Sequence, residues 1–139
     1  MKTRNWLTLL IALPLLLAGC GPAEPSALSD EEVLTLATGI LTAVDDNNYD
    51  VFKENFSEEM LAAFPEAAFA DLRTTLQSAS GNFVSAGRLE LTNNQGYAVH
   101  RIRCTYSLEE VMVTLVIKIG GTQVDGLFFD STNLRAASK

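Results

Sequence analysis

Few residues of this 139-residue chain have types suited to chemistry, and they are widely spaced: two cysteines, Cys20 and Cys104, one histidine, His100, and no Gly-x-Ser-x-Gly elbow for a nucleophilic serine. Zinc asks for three or four Cys, His or carboxylate ligands, which one His and one buried-looking Cys do not supply. Asp45-Asp46-Asn47-Asn48 offers oxygens but lacks the spaced ligands and distal Glu of a calcium loop, so it reads as a polar turn. Gly120-Gly121 closes a hairpin rather than cradling a phosphate. No metal and no cofactor are therefore expected, and no catalytic constellation is found. The candidate for acid–base work is His100, which the strand phase described below places on the inner side of a sheet opposite Gly87, with Tyr106, Tyr49 or Asp50 as neighbours. A polar group projecting into an inner pocket would suit a small apolar ligand, or a small isomerase or hydrolase-like enzyme. The scarcity of polar inner residues favours instead a structural histidine near a sheet edge, and Asp50 is better explained by capping and solvation at a helix start.

Cys20 stands in a different context. Lys2 and Arg4 precede an uncharged apolar run from Trp6 to Leu17, and Leu17, Ala18, Gly19 and Cys20 follow, the layout of a secretory signal. At about a dozen residues the run is shorter than the roughly 20 that span a bilayer, and Pro14 would disturb such a helix. The Leu17-Ala18-Gly19-Cys20 string resembles the bacterial lipobox, whose cysteine thiol is diacylated before the signal is cut immediately ahead of it; the alternative is an ordinary cleaved signal with an incidental cysteine. The resemblance implies a signal peptide over 1–19 and a lipid on Cys20. The protein would then be exported and held on the outer face of the cell membrane, or in the outer membrane of a host that has one, with which Gly21 is compatible. A buried CH2 contributes about 0.8 kcal/mol, so several acyl chains hold where one binds only marginally. With Cys20 acylated, Cys104 has no disulfide partner and reads as a small buried hydrophobe.

Removing the leader, with Lys2 and Arg4, leaves eight basic residues against 17 acidic ones, a net charge of −9 that disfavours nucleic acid and anionic lipid surfaces as partners. About 120 residues suffice for one domain. From Glu24 to Asp71 the charged residues are acidic except Lys53, whereas beyond Arg73 the balance turns slightly basic.

The elements follow from period and punctuation. Residues 20–28, with Pro22, Pro25 and Ser26, suit an extended tether. Ser29 and Glu32 form a capping-box pattern ahead of Val33, Leu36, Ala37, Ile40, Leu41 and Val44, which predicts a helix from Asp30 to about Val44. Shorter helices carry Tyr49, Phe52 and Phe56, then Met60 and Leu61 after a Ser57 cap; a last helix with Pro65 in its first turn carries Phe69, Leu72 and Leu76, and Gly81 closes the helical half. Beyond Phe83 the period changes to two, predicting strands at Asn82–Leu91, Tyr97–Ser107, Glu110–Ile119 and Thr122–Asp130, with turns at Asn93-Asn94, Leu108-Glu109 and Gly120-Gly121. That register pairs Ile117 with Val124, Val113 with Phe128 and Cys104 with Val113. It collects Phe83, Leu89, Ile102, Cys104, Tyr106, Val113, Leu115 and Phe128 on an inner face against the helices. The outer face mixes Arg88, Arg101, Arg103, Lys118 and Asp125 with Val84, Val99, Met112, Val116, Leu127 and Phe129, an arginine-and-apolar composition that suits a homodimer or another protein partner, or arginine stems lying over scattered apolar residues.

Helices followed by a four-stranded meander resemble the cone-shaped fold of nuclear transport factor 2 and ketosteroid isomerase. More closely, the segment from Leu28 to Asp130 resembles a bacterial family of unknown function, with a Phe-rich helical part, a Cys-Thr-Tyr-Ser strand at Cys104 to Ser107 and a closing Gly-Leu-Phe-Phe strand at Gly126 to Phe129. The resemblance implies an α+β domain over 29–132, with helices on one face of a curved, cystatin-like antiparallel sheet, and a tail over 133–139. Members of that family resemble exported lipoproteins or domains ahead of serine hydrolases; without the serine elbow the hydrolase role is not expected here. The general-base Asp and acidic or phenolic donors of the cone-fold isomerases are not matched either. The expectation is a non-catalytic binding domain on a lipid anchor.

Overall fold

The computed structural model describes residues 26–138, so the segment read as a leader, the lipobox-like residues Leu17, Ala18 and Gly19, and Cys20 itself lie outside the described residues. The first helix, α1 (Asp30–Asp45), begins as the capping box requires: Ser29 accepts from the Glu32 amide, and Glu32 accepts from the Ser29 amide at 2.8 Å. Its apolar stripe of Val33, Ala37, Ile40, Leu41 and Val44 is buried. Asp45 ends it usefully, because its carboxylate accepts the Phe83 amide at 2.8 Å and so ties the helix end to the first strand. Asn47 takes a left-handed φ of 55° and Asn48 caps the next helix by accepting from the Val51 amide, so the Asp-Asn run is accounted for as a turn.

Helices α2 (Tyr49–Lys53), α3 (Glu58–Ala63, capped by Ser57) and α4 (Glu66–Ala79) follow. Pro65 stands at the N-cap of α4 rather than inside its first turn. Together these helices supply an aromatic cluster: the buried Phe52 ring lies 4.9 Å from Phe56, 5.4 Å from Phe64 and 4.8 Å from Phe69. The space between helices and sheet is thus filled by stacked and tilted rings.

Four strands, β1 (Phe83–Asn94), β2 (Tyr97–Tyr106), β3 (Glu110–Lys118) and β4 (Val124–Asp130), form an antiparallel sheet in the order β1-β2-β3-β4, and the protein is an α+β domain with its helices on one face. Three details of register differ from the expectation. The first hairpin turns at Gln95-Gly96, both with positive φ, instead of Asn93-Asn94. The second pairs Cys104 with Val111, two residues from the expected register, because its turn lies one residue earlier, at Ser107-Leu108, with the Tyr106 N–H donating to the Glu109 carbonyl at 2.9 Å; an even shift keeps every side chain on its face. In β4, Ile117 does pair with Val124, but Asp125 is then an extra residue, and beyond it Val113 faces Phe129 instead of Phe128. The Asp125 carboxylate accepts the Lys118 amide at 2.9 Å, which satisfies the hydrogen bond that the bulge would otherwise lose.

The bulge reverses the faces of three residues. Leu127 is buried in the core and Phe129 packs against it, whereas Phe128 stands on the outer face. The segment read as a tail over 133–139 contains a fifth helix, α5 (Thr132–Ala137), capped by Ser131 and packed through Leu134.

Candidate functional site

Among the described residues the most exposed aromatic side chain stands on the outer face of the sheet, and the reason is local. Gly126 pairs with Val116, and a Cβ on Gly126 would lie 3.1 Å from the Phe128 ring and 3.2 Å from Val116. Glycine therefore lets the Phe128 ring lie back over the sheet while 61 % of the residue stays exposed. On the same face Tyr97 is 39 % exposed, and a groove of about 750 Å³ runs between Tyr97, Val116, Lys118, Asp125, Gly126 and Phe128, with Ser57 and Glu59 on its helical side.

Cross-strand rows relate this groove to the residues expected at an interface. Glu90, Arg101, Thr114 and Phe128 are successive partners across the four strands, and Arg103, Met112 and Asp130 form the next outward-facing row across three of them. Arg101, Arg103 and Met112 therefore share the outer face with Phe128. Phe129 does not, since the β4 bulge turns it inward. Arg88 lies in the β1 bulge between Ala86 and Leu89, 3.5 Å from Glu90, and Arg103 lies 3.2 Å from Glu110, so two of the three arginines have acidic neighbours of their own. Both pairs are exposed and contribute little to stability. Neither Tyr97 nor Phe128 was foreseen here: Phe128 had the wrong parity, and the signal that could have corrected it is the Asp125-Gly126 pair, a bulge-forming acid followed by glycine.

The inner residues do not assemble as a pocket. His100 faces Leu91 and Leu115 across the sheet, whereas Gly87 sits in a bulge where a Cβ would lie 2.8 Å from the Arg103 carbonyl. Tyr106 is six residues along β2 from His100, roughly 20 Å at strand rise. Tyr106 packs instead on Phe83, and burial, with the fields of Cys104 and Asp45, pushes its phenol well above the usual range. Tyr49 donates to the Phe64 carbonyl at 2.9 Å and lies beside Phe69, and Asp50 pairs with Lys53 at 3.0 Å in the open. The nearest polar group to His100 is Ser26, whose Oγ is 3.2 Å from Nε2. Cys104 is fully buried, and burial pushes its thiol up to about 12, so that it stays protonated at neutral pH. Among the described residues no three His, Cys, Asp or Glu side chains converge on a metal position, and no helix is long and apolar enough to cross a membrane.

No curated protein and no solved structure matches this sequence. Residues 37–121, from the middle of α1 through the turn after β3, match the family described as "Protein of unknown function (DUF3887)", and the chain belongs to that family.

Proposed function

We propose that the protein is an exported, lipid-anchored binding module that takes a protein partner on the outer face of its sheet, with Phe128 as the anchor residue. The observation that carries the reading is the 61 % exposed Phe128, which lines one groove with Tyr97 and stands in the same row as Arg101. Exposed aromatics and arginine grouped on one patch have the composition of an interaction hot spot. Anchoring rests on the leader and the lipobox-like string ending at Cys20. The arrangement of helices on one face of a meander supports the likeness to the cone fold of nuclear transport factor 2, while the space between helices and sheet is filled here by Phe52, Phe56 and Phe69. That filling favours binding on the surface over chemistry inside.

A photo-reactive side chain placed at Phe128 in the membrane-bound protein should give a discrete, saturable adduct, and one at Leu108, exposed at the far turn, should not. Adding Arg101→Glu to the Phe128 probe should cut the adduct yield about tenfold, the effect of losing roughly 1.4 kcal/mol at an interface. An adduct of doubled mass would identify the partner as a second copy. Equal labelling from both positions, or a yield indifferent to Arg101, would remove the reading.

A further inference from the structure

We propose that residues Ser26 to Leu28 form a strap latched onto the sheet by His100, and that protonation of His100 releases it. His100 is 1 % exposed and Ser26 4 % exposed, although Ser26 precedes the first helix and carries no apolar side chain to bury. The strap is held at three points. His100 Nε2 lies 3.2 Å from Ser26 Oγ, the Ala27 N–H donates to the Gly121 carbonyl at 3.0 Å, and Leu28 packs against the core.

The proton inventory of the latch fixes its direction. Ser26 Oγ also lies 3.5 Å from the Leu28 carbonyl, so the arrangement that leaves no donor unused runs from Nε2–H to Ser26 Oγ and from its hydroxyl proton to Leu28 O. Nδ1 is then the bare nitrogen, buried and without a hydrogen-bond partner among the described residues. A second proton must go to Nδ1, where it meets no acceptor and creates a buried charge. Leu91 and Leu115, facing His100 from β1 and β3, do not titrate. Asp30, at the start of α1, favours the charged ring, but burial is the larger effect and holds the imidazole below its ordinary value.

The sign follows from linkage. In the opened strap His100 meets water and titrates near 6.5, while in the closed strap it stays neutral to lower pH, so the open form binds more protons. Closure is fully favoured above about pH 6.5 and weakens below it, by at most about tenfold in the opening constant per pH unit for one proton. The consequence reaches the outer face, because Gly121, whose carbonyl receives Ala27, also lines the groove beside Phe128.

Hydrogen exchange of the full-length protein tests this, with protection factors used to remove the intrinsic pH dependence. Between pH 7.5 and 5.5 the Ala27 amide should lose up to about tenfold of its protection while core amides such as Val113 keep theirs. His100→Gln, which can still donate to Ser26 but cannot charge, should make Ala27 protection independent of pH. Ser26→Ala should lower it several-fold at pH 7.5 with Val113 unchanged. Three results would each overturn the proposal: constant Ala27 protection in the wild type, an equal fall in His100→Gln, or wild-type protection retained by Ser26→Ala at neutral pH. A parallel loss at Ala27 and Val113 would do the same, since it would mean global unfolding in place of strap release.

Discussion

Phe52 shows how much one residue can decide in this protein. It projects from the short α2 helix, whose five residues would not be stable alone, and it becomes helical because its ring is buried among Phe56, Phe64 and Phe69. Phe52→Ala should cost about 3–5 kcal/mol, read as a lowered urea midpoint with little change in slope, because the rigid rings around it cannot collapse into the space. A loss below about 1 kcal/mol would mean that the aromatic cluster is not the centre of the core. The spacing of these aromatics marked the helices that carry them, but not that their rings would fill the interior. The partner of His100 was not marked, because Ser26 is distant by 74 residues and only the folded chain brings the two together.

At the level of elements, the helix boundaries were written in local chemistry. Ser29 with Glu32, Asn48, Ser57 and Gly81 act on residues within a few positions, and those signals survive in the fold. The strands were legible as period two, but their register was not, since one inserted residue at Asp125 reverses everything after it. Helix α5 escaped notice for a related reason: what docks it is remote. The Glu109 carboxylate in the β2–β3 turn accepts from Ser80 and Ser131 hydroxyls at 2.6 Å each and from the Asn133 amide at 3.2 Å. Desolvation raises that carboxyl, but the hydrogen bonds from Ser131, Ser80 and Asn133, with Arg135 nearby, outweigh it and leave the group below its ordinary range. The clamp is therefore present above about pH 4.3 and fades as pH falls through the lowered value. Glu109→Gln should weaken α5 docking by on the order of 1 kcal/mol, seen as about fivefold faster tryptic cleavage after Arg135 at neutral pH. An unchanged cleavage rate would show that Leu134 packing alone holds the helix.

For the molecule as a whole, the two ends of the chain carry different kinds of information. If the proposed anchor is right, Cys20→Ser in the full-length protein should abolish incorporation of radioactive fatty acid and leave the N-terminal segment uncut, so that a precursor accumulates; labelling that persists would overturn the proposed anchor. That prediction depends only on adjacent residues, because a processing signal is read from an extended chain before any fold exists. Sequence by itself determined the leader pattern, the acidic helical half, the order of helices then strands, and the absence of a serine elbow, all of which are properties of neighbours and short periods. Tertiary structure alone decided that Phe128 faces outward and Phe129 inward, that His100 meets Ser26 in place of Gly87, and that Glu109 gathers α4 and α5. Each of these rests on a bulge or on a contact between residues far apart in the chain, and such features are set by which packing buries the most apolar surface while leaving the fewest polar groups unpaired.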